Sequence, residues 1–372
     1  MGEVSENKAK NILKNSRKLQ NEKKYSKAIE GYNIILKDST LPKSIINEAK
    51  ICKLLAERKV PVLDKYSFLP EYMDIGKNGV DYYKSNKCCY TLYEEYDSSK
   101  KYFNYQPDWV YLESPSFKFD ENGIPMVKYN GKFYYNAVTM CQYALYLYDK
   151  YMDTGASKDK FLNTADFLIK SIKKDGSLRY EFKFGYYECL TEGWASSMSQ
   201  GQALSVFTRA YHLTKNSKYL NAGQRVLKYL LTPVSQDGVM DNLGNLDKSL
   251  EDKIFFQQYV GKTSTYTLNG YIFTLIGLYD WSSICCRGNI YYSNVAKIYW
   301  NKGLLSLKYI LPYYDIGNFT AYDLYHIVKN SPPSSSDFYH CIHIEEMNVL
   351  YNITKDDYYR KIRDMWISYV KN

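Results

Sequence analysis

The chain has 372 residues, 45% of them apolar and 24% charged, enough for a substantial core and for two or three domains. Its longest apolar runs, such as 271–279, fall short of the roughly 18 to 20 residues a bilayer crossing needs, so no membrane span is expected. Lys plus Arg outnumber Asp plus Glu by 49 to 40, a modest positive field that attracts any polyanion, nucleic acid or acidic polysaccharide alike, but the basic residues are dispersed and no helix-turn-helix, zinc-finger or RRM signature occurs, so nucleic acid is not an expected partner.

The first ten residues are polar and carry Glu3 and Glu6, unlike a secretory signal, and a cytoplasmic product is expected. Eight cysteines include the adjacent pairs Cys88-Cys89 and Cys285-Cys286 without a CxxC pair, and reduced thiols are expected. The 42 tyrosines accompany abundant Lys, Asn and Ile, as codon bias in an AT-rich genome would produce, so tyrosine content alone defines no site.

Residues 1–59 read as an N-terminal helical hairpin resembling half of a tetratricopeptide unit, with periodic runs at 25–36 and 45–55 on either side of Pro42. One such unit cannot bury its own face, so it should pack on the main domain. Residues 60–124, with Pro61, Pro70, Pro107 and Pro115 and a Tyr-Lys-Ser stretch, read as a connecting region of loop and short strand. From 125 to 372 the pattern turns to paired helices: 136–152 with 157–173, 195–215 with 217–231, 269–283 with 289–310, and 339–350 with 355–370. The hairpins start near 136, 195, 269 and 340, which are 59, 74 and 71 residues apart. Together they predict a mainly α chain, with four hairpins forming an incomplete α/α toroid whose rim loops, near 180–192, 241–267 and 313–336, surround a concave site.

No GxSxG elbow, phosphate-binding loop or HExxH motif is present. His340 and His343 could share a helical face with Glu346, but a third metal ligand of suitable spacing is missing and no metal is assigned. Glu181, Glu188, Glu192 and Asp241 could supply the paired carboxylates of a hydrolase. Any chain with 40 acidic residues offers such candidates.

Four segments are more specific: Leu190-Thr191-Glu192-Gly193-Trp194 running on to Gln200-Gly201-Gln202; Thr267-Leu268-Asn269-Gly270 continuing to Asp280; Leu311-Pro312-Tyr313-Tyr314-Asp315 continuing to Tyr322-Asp323-Leu324-Tyr325-His326; and Phe338-Tyr339-His340-Cys341-Ile342-His343. In order and spacing they resemble the C-terminal domain of the D-glucuronyl C5-epimerases, which convert glucuronate to iduronate in heparosan and heparan-type chains. A weaker likeness at Phe133-Tyr134-Tyr135 and Gln142-Tyr143 extends it to about 125–370.

The resemblance implies an α/α barrel in which tyrosines move the proton, here Tyr259, Tyr322 and Tyr339. The chemistry suits them. Inverting C5 of a uronate needs a base on one face and an acid on the other, and a phenol serves as either once its environment tunes it. Tyr339 and Tyr322 are expected on opposing faces with Tyr259 assisting. Gln258, Asn269, His340 and His343 would orient the sugar, and Trp194, Gln200, Gln202, Tyr134 and Tyr325 are further candidate contacts. No cofactor is required, because the carboxylate delocalises the charge.

Two departures stand out: Gln258 where the family pattern has an acid, and Tyr325 where it has an Arg. The second removes a charged hydrogen bond to a uronate carboxylate, worth about 1.5 to 3 kcal/mol. The β-rich region and membrane anchor of animal members are not evident in the string. A homodimer is an expectation carried by the family. The alternatives are a uronate-specific lyase or hydrolase on the same fold, or an inactive acidic-glycan-binding protein.

Overall fold

In the computed structural model, residues 4–73, 90–103 and 108–370 are described; Cys88-Cys89, Pro107 and most of the Tyr-Lys-Ser stretch lie outside the described residues. The chain is mainly helical. Three helices open it, α1 (Glu6–Asn21), α2 (Tyr25–Leu36) and α3 (Lys43–Glu57), so the expected hairpin is extended by a third helix. A three-stranded antiparallel sheet follows, β1 (Phe117–Phe119), β2 (Pro125–Tyr129) and β3 (Lys132–Tyr135). The four hairpins then occur as the apolar periodicity predicts: α4 (Ala137–Thr154) with α5 (Lys158–Ser171), α6 (Ser197–Thr214) with α7 (Ser217–Leu230), α8 (Leu268–Ser282) with α9 (Ile290–Ile310), and, beyond the short α10 (Tyr325–Lys329), α11 (Asp337–Thr354) with α12 (Asp357–Val370).

The first helix of each hairpin lies inside, packed in the series α4, α6, α8, α11, and the second lies outside, giving a toroid-like arc rather than a closed barrel. Burial separates the two sets. All fourteen residues from Ser197 to Ala210 are buried in α6, whereas α7 buries one stripe and turns its lysines outward. Glycine lets the inner backbones touch: a Cβ on Gly201 would stand 2.4 Å from Thr274 Cα, and one on Gly277 would stand 2.0 Å from Gly201 O. Any larger residue at either position would push α6 from α8.

Residues 90–103 have no regular secondary structure and run across the C-terminal ends of the inner helices. Tyr93 O accepts from Asn348 and Asn352 (2.8 and 2.7 Å), Thr91 N donates to Glu345 (2.6 Å), Lys100 O accepts from Arg209 (3.0 Å), and Tyr102 N donates to Asp149 (2.7 Å). Beneath the strap, Arg209 and Asp280 form a fully buried ion pair at 2.8 Å, which Tyr96 OH joins. That end of the arc is closed. At the side, buried Asp315 accepts from Lys50 of α3 (3.2 Å), Trp366 Nε1 (3.2 Å) and Tyr369 OH (2.7 Å), tying the N-terminal helices to α12.

Cys52, Cys141, Cys189, Cys285 and Cys286 are free thiols, whereas Cys341 is disulfide-bonded, which corrects the expectation of reduced thiols at that position. Among the described residues no helix is long and apolar enough to cross a membrane.

Candidate active site

The N-terminal ends of the inner helices converge on a cavity of about 220 Å³. Each contributes from its first two turns or its cap: Asn136, Val138 and Gln142 of α4, Ser196 and Met198 of α6, Asn269 of α8, and Phe338, Tyr339 and Ile342 of α11. The rim adds aromatic walls. Strands β4 (Arg179–Tyr180) and β7 (Trp194–Ala195) pair so that Tyr180 and Trp194 stack at 4.0 Å. Trp194 Nε1 donates to Phe182 O at 3.0 Å, and Phe182 stacks on Tyr129 at 3.8 Å. A hairpin of β5 (Phe184–Tyr186) and β6 (Glu188–Leu190) leans on Tyr259, with the Tyr186 ring 4.3 Å away. Strands β8 (Met240–Asn242) and β9 (Ile254–Phe256) pair just before Gln258 and Tyr259.

The three expected tyrosines form one cluster. The hydroxyls of Tyr259 and Tyr322 are 3.1 Å apart, and the ring centres of Tyr322 and Tyr339 are 4.2 Å apart. Gln258 Nε2 donates to Tyr259 OH at 3.1 Å and reaches Tyr322 OH at 3.4 Å. Gln258 fits because residue 270 is glycine: a Cβ there would stand 2.1 Å from Gln258 Oε1. Tyr259 and Tyr339 line the cavity, whereas Tyr322 sits behind them. This corrects the expected arrangement. Rings in contact leave no room for a sugar, so Tyr322 and Tyr339 do not face each other across it.

Burial pushes all three phenols above the ordinary tyrosine range. For Tyr259 and Tyr339 alike, the Tyr322 hydroxyl pulls the other way. Among the described residues no charged side chain lines the cavity. Close by, Asp323 is buried and accepts hydrogen bonds from Tyr186 OH and, at 3.4 Å, Tyr187 OH; burial raises it to about 6.

Several expected contacts lie elsewhere. His340 and His343 are fully buried on the far side of α11, where both Nδ1 atoms meet Thr320 Oγ1, at 2.8 and 2.9 Å. His340 Nε2 donates to Trp366 O at 3.0 Å, so its Nδ1 accepts from Thr320, and His343 Nδ1 in turn donates to Thr320. Burial lowers His340 to about 4 and holds both rings neutral. Neither histidine lines the cavity. Gln200 and Gln202 are core residues of α6, Gln200 reaching Leu178 O at 3.4 Å. Tyr325 stacks on Tyr187 at 3.8 Å, and Tyr134 packs against Phe182 at 5.4 Å; neither lines the cavity. Trp194, Gln258 and Asn269 do.

Of the carboxylates weighed for hydrolysis, Glu181 pairs with Lys173, Asp241 accepts from Gln257 and Ser264, and Glu188 and Glu192 line a neighbouring groove; none enters the cavity. Among the described residues no three His, Cys, Asp or Glu side chains gather to hold a metal ion. Sequence reasoning missed Ser196, Asn136, Tyr129, Phe184 and the Tyr186–Asp323 pair. The Asp323 and Ser196 positions stand inside segments already singled out, but only the fold turns them toward the site.

The chain is thus a mainly helical, toroid-like arc with polar and aromatic groups around one cavity. Residues 172–368 match the family described as D-glucuronyl C5-epimerase C-terminus, and the chain belongs to that family. It is 31% identical to a D-glucuronyl C5-epimerase of Caenorhabditis elegans over 56% of this chain and 34% of the nematode protein. It is 29% identical to an uncharacterised protein of Methanocaldococcus jannaschii over 50% of this chain and 56% of the archaeal one. The chain thus matches about a third and just over half of these relatives' lengths.

Proposed function

We propose that this protein epimerises a uronic acid at C5 within an acidic poly- or oligosaccharide. The observation that carries the reading is the pair of cavity-lining phenols, Tyr259 and Tyr339, joined through the buried Tyr322. Tyr339, which lines the cavity, takes the C5 proton. The C–H electron pair passes into the uronate carboxylate as an enediolate, and Tyr259 returns a proton to C5 from the other face. Proton transfer through Tyr322, from the protonated Tyr339 to the ionised Tyr259, restores the starting state. The roles of Tyr259 and Tyr322 are thereby exchanged relative to the sequence-based expectation. Gln258 donates to both hydroxyls and steadies whichever oxygen carries more charge.

The test is incubation with glucuronate-containing glycans in deuterated water, followed by NMR at C5. Uptake of deuterium that Tyr339→Phe abolishes supports the proposal. A wild-type protein that binds such glycans yet incorporates none overturns it in favour of a binding protein, and an unsaturated, ultraviolet-absorbing product overturns it in favour of a lyase.

A further inference from the structure

The cavity lacks a cation among the described residues, yet the reading above places a carboxylate in it. Each helix N-terminus carries roughly half a positive charge and up to four unpaired N–H donors. The first turns of α4, α6, α8 and α11 bring four such ends to one hollow. On α4 the end is satisfied from within, since Asn136 Oδ1 accepts from Thr139 N at 3.1 Å. On α6, α8 and α11 the N-cap side chain makes no capping bond. At α6 a second observation points to a ligand: Ser196 is 2% exposed, lines the cavity, and its Oγ has no hydrogen-bond partner among the described residues. A buried hydroxyl without a partner is costly unless something fills the place. Asn269, also 2% exposed and cavity-lining, leaves its Oδ1 unpartnered, an acceptor for a sugar hydroxyl.

The first amide of α6, Ser197 N, donates to Gln257 O at 3.0 Å, and we infer that the substrate carboxylate docks on the N-terminus of α6, held by the Ser196 hydroxyl and the next two amides, of Met198 and Ser199, in place of the guanidinium that Tyr325 replaces. The inference rests on the uronate reading and adds the residue that selects an acid over a neutral sugar. The same N–H groups would meet the charge that builds on the carboxylate as the C5 proton leaves.

The test compares methyl glucuronide with its carboxyl-reduced counterpart, methyl glucoside, by NMR titration of wild type, Ser196→Ala and Ser196→Asp. Wild type is expected to prefer the glucuronide by about tenfold or more, and Ser196→Ala to narrow that preference to a few-fold, as for loss of one charged hydrogen bond. Asp is also an N-cap residue, and a cooperative melting transition is the check that Ser196→Asp folds. Its own carboxylate should occupy the α6 terminus and abolish the preference. A wild type without preference, or a preference that survives either substitution, overturns the inference. C5 deuterium exchange on a glucuronate glycan, read separately, distinguishes the two readings: preference without exchange removes the epimerase and leaves this site, and exchange without preference does the reverse.

Discussion

The hydroxyl of Tyr259 lies 3.1 Å from that of Tyr322. Only Tyr259 of this pair lines the cavity, so the two phenols divide the work between contact and relay. Tyr259→Phe and Tyr339→Phe should each lower C5 deuterium exchange by about 10² to 10⁴-fold, the scale of a lost general acid or base. Tyr322→Phe keeps the ring and removes the bridge. It should also slow exchange while leaving glycan affinity within about twofold, because no substrate contact is lost. Equal loss of affinity would place Tyr322 in contact with the sugar instead.

Gly270 holds open the space that Gln258 occupies. Gly270→Ala puts a methyl group against the carboxamide and should cost about 1 to 3 kcal/mol in a denaturant titration, the usual cost of overpacking. It should also displace the amide from the two phenols and depress exchange further than the stability loss explains. Gln258→Glu leaves the packing in place but removes the N–H donor and adds a charge beside the phenols, so exchange is retained only where the carboxylate itself takes over as proton acceptor, seen as a new acidic limb in the pH profile. Complete loss of exchange in that variant would count against Gln258 as the counterpart of the family's acid.

Asp323 has its carboxyl raised to about 6 by burial. The folded protein therefore holds this proton more tightly than the unfolded chain does, and the associated stability is present at low pH and lost as pH rises through about 6. Asn at 323 cannot ionise. The stability of Asp323→Asn relative to wild type should improve by on the order of 1 to 3 kcal/mol between pH 4 and pH 8. Chemical denaturation across that range measures it, and a flat difference would show that Asp323 titrates normally.

Thr320 joins His340 and His343. Thr320→Val leaves both buried rings without that partner and should destabilise the fold by about 1 to 3 kcal/mol. Michaelis constants for any glycan substrate should stay unchanged, since none of the three side chains lines the cavity. A raised KM would return the histidines to substrate binding.

Under the strap, Asp280 meets the fully buried Arg209. Asp280→Asn leaves a buried guanidinium without its counter-charge and should cost about 3 to 5 kcal/mol, seen as a lowered melting temperature. Replacing both partners by apolar residues of similar volume should recover much of that loss. Failure of the double variant to recover would assign Arg209 a role beyond its partner.

The four helical hairpins were readable in the string because apolar periodicity and Asp-Gly breaks are local signals, and their bounds moved by only a few residues on folding. The family segments likewise marked which stretches approach the site. Which side chain within a stretch faces the cavity was settled by tertiary packing. Adjacent residues of a helix point about 100° apart, so on α11 Tyr339 looks into the cavity while His340 looks back toward Trp366. The strap at 90–103 has no periodic pattern to announce it, since its bonds run to helix ends far away in sequence. Above all, the string contains no sign that four helix N-termini meet at one hollow, because a dipole belongs to the backbone and gains direction only once the helices pack.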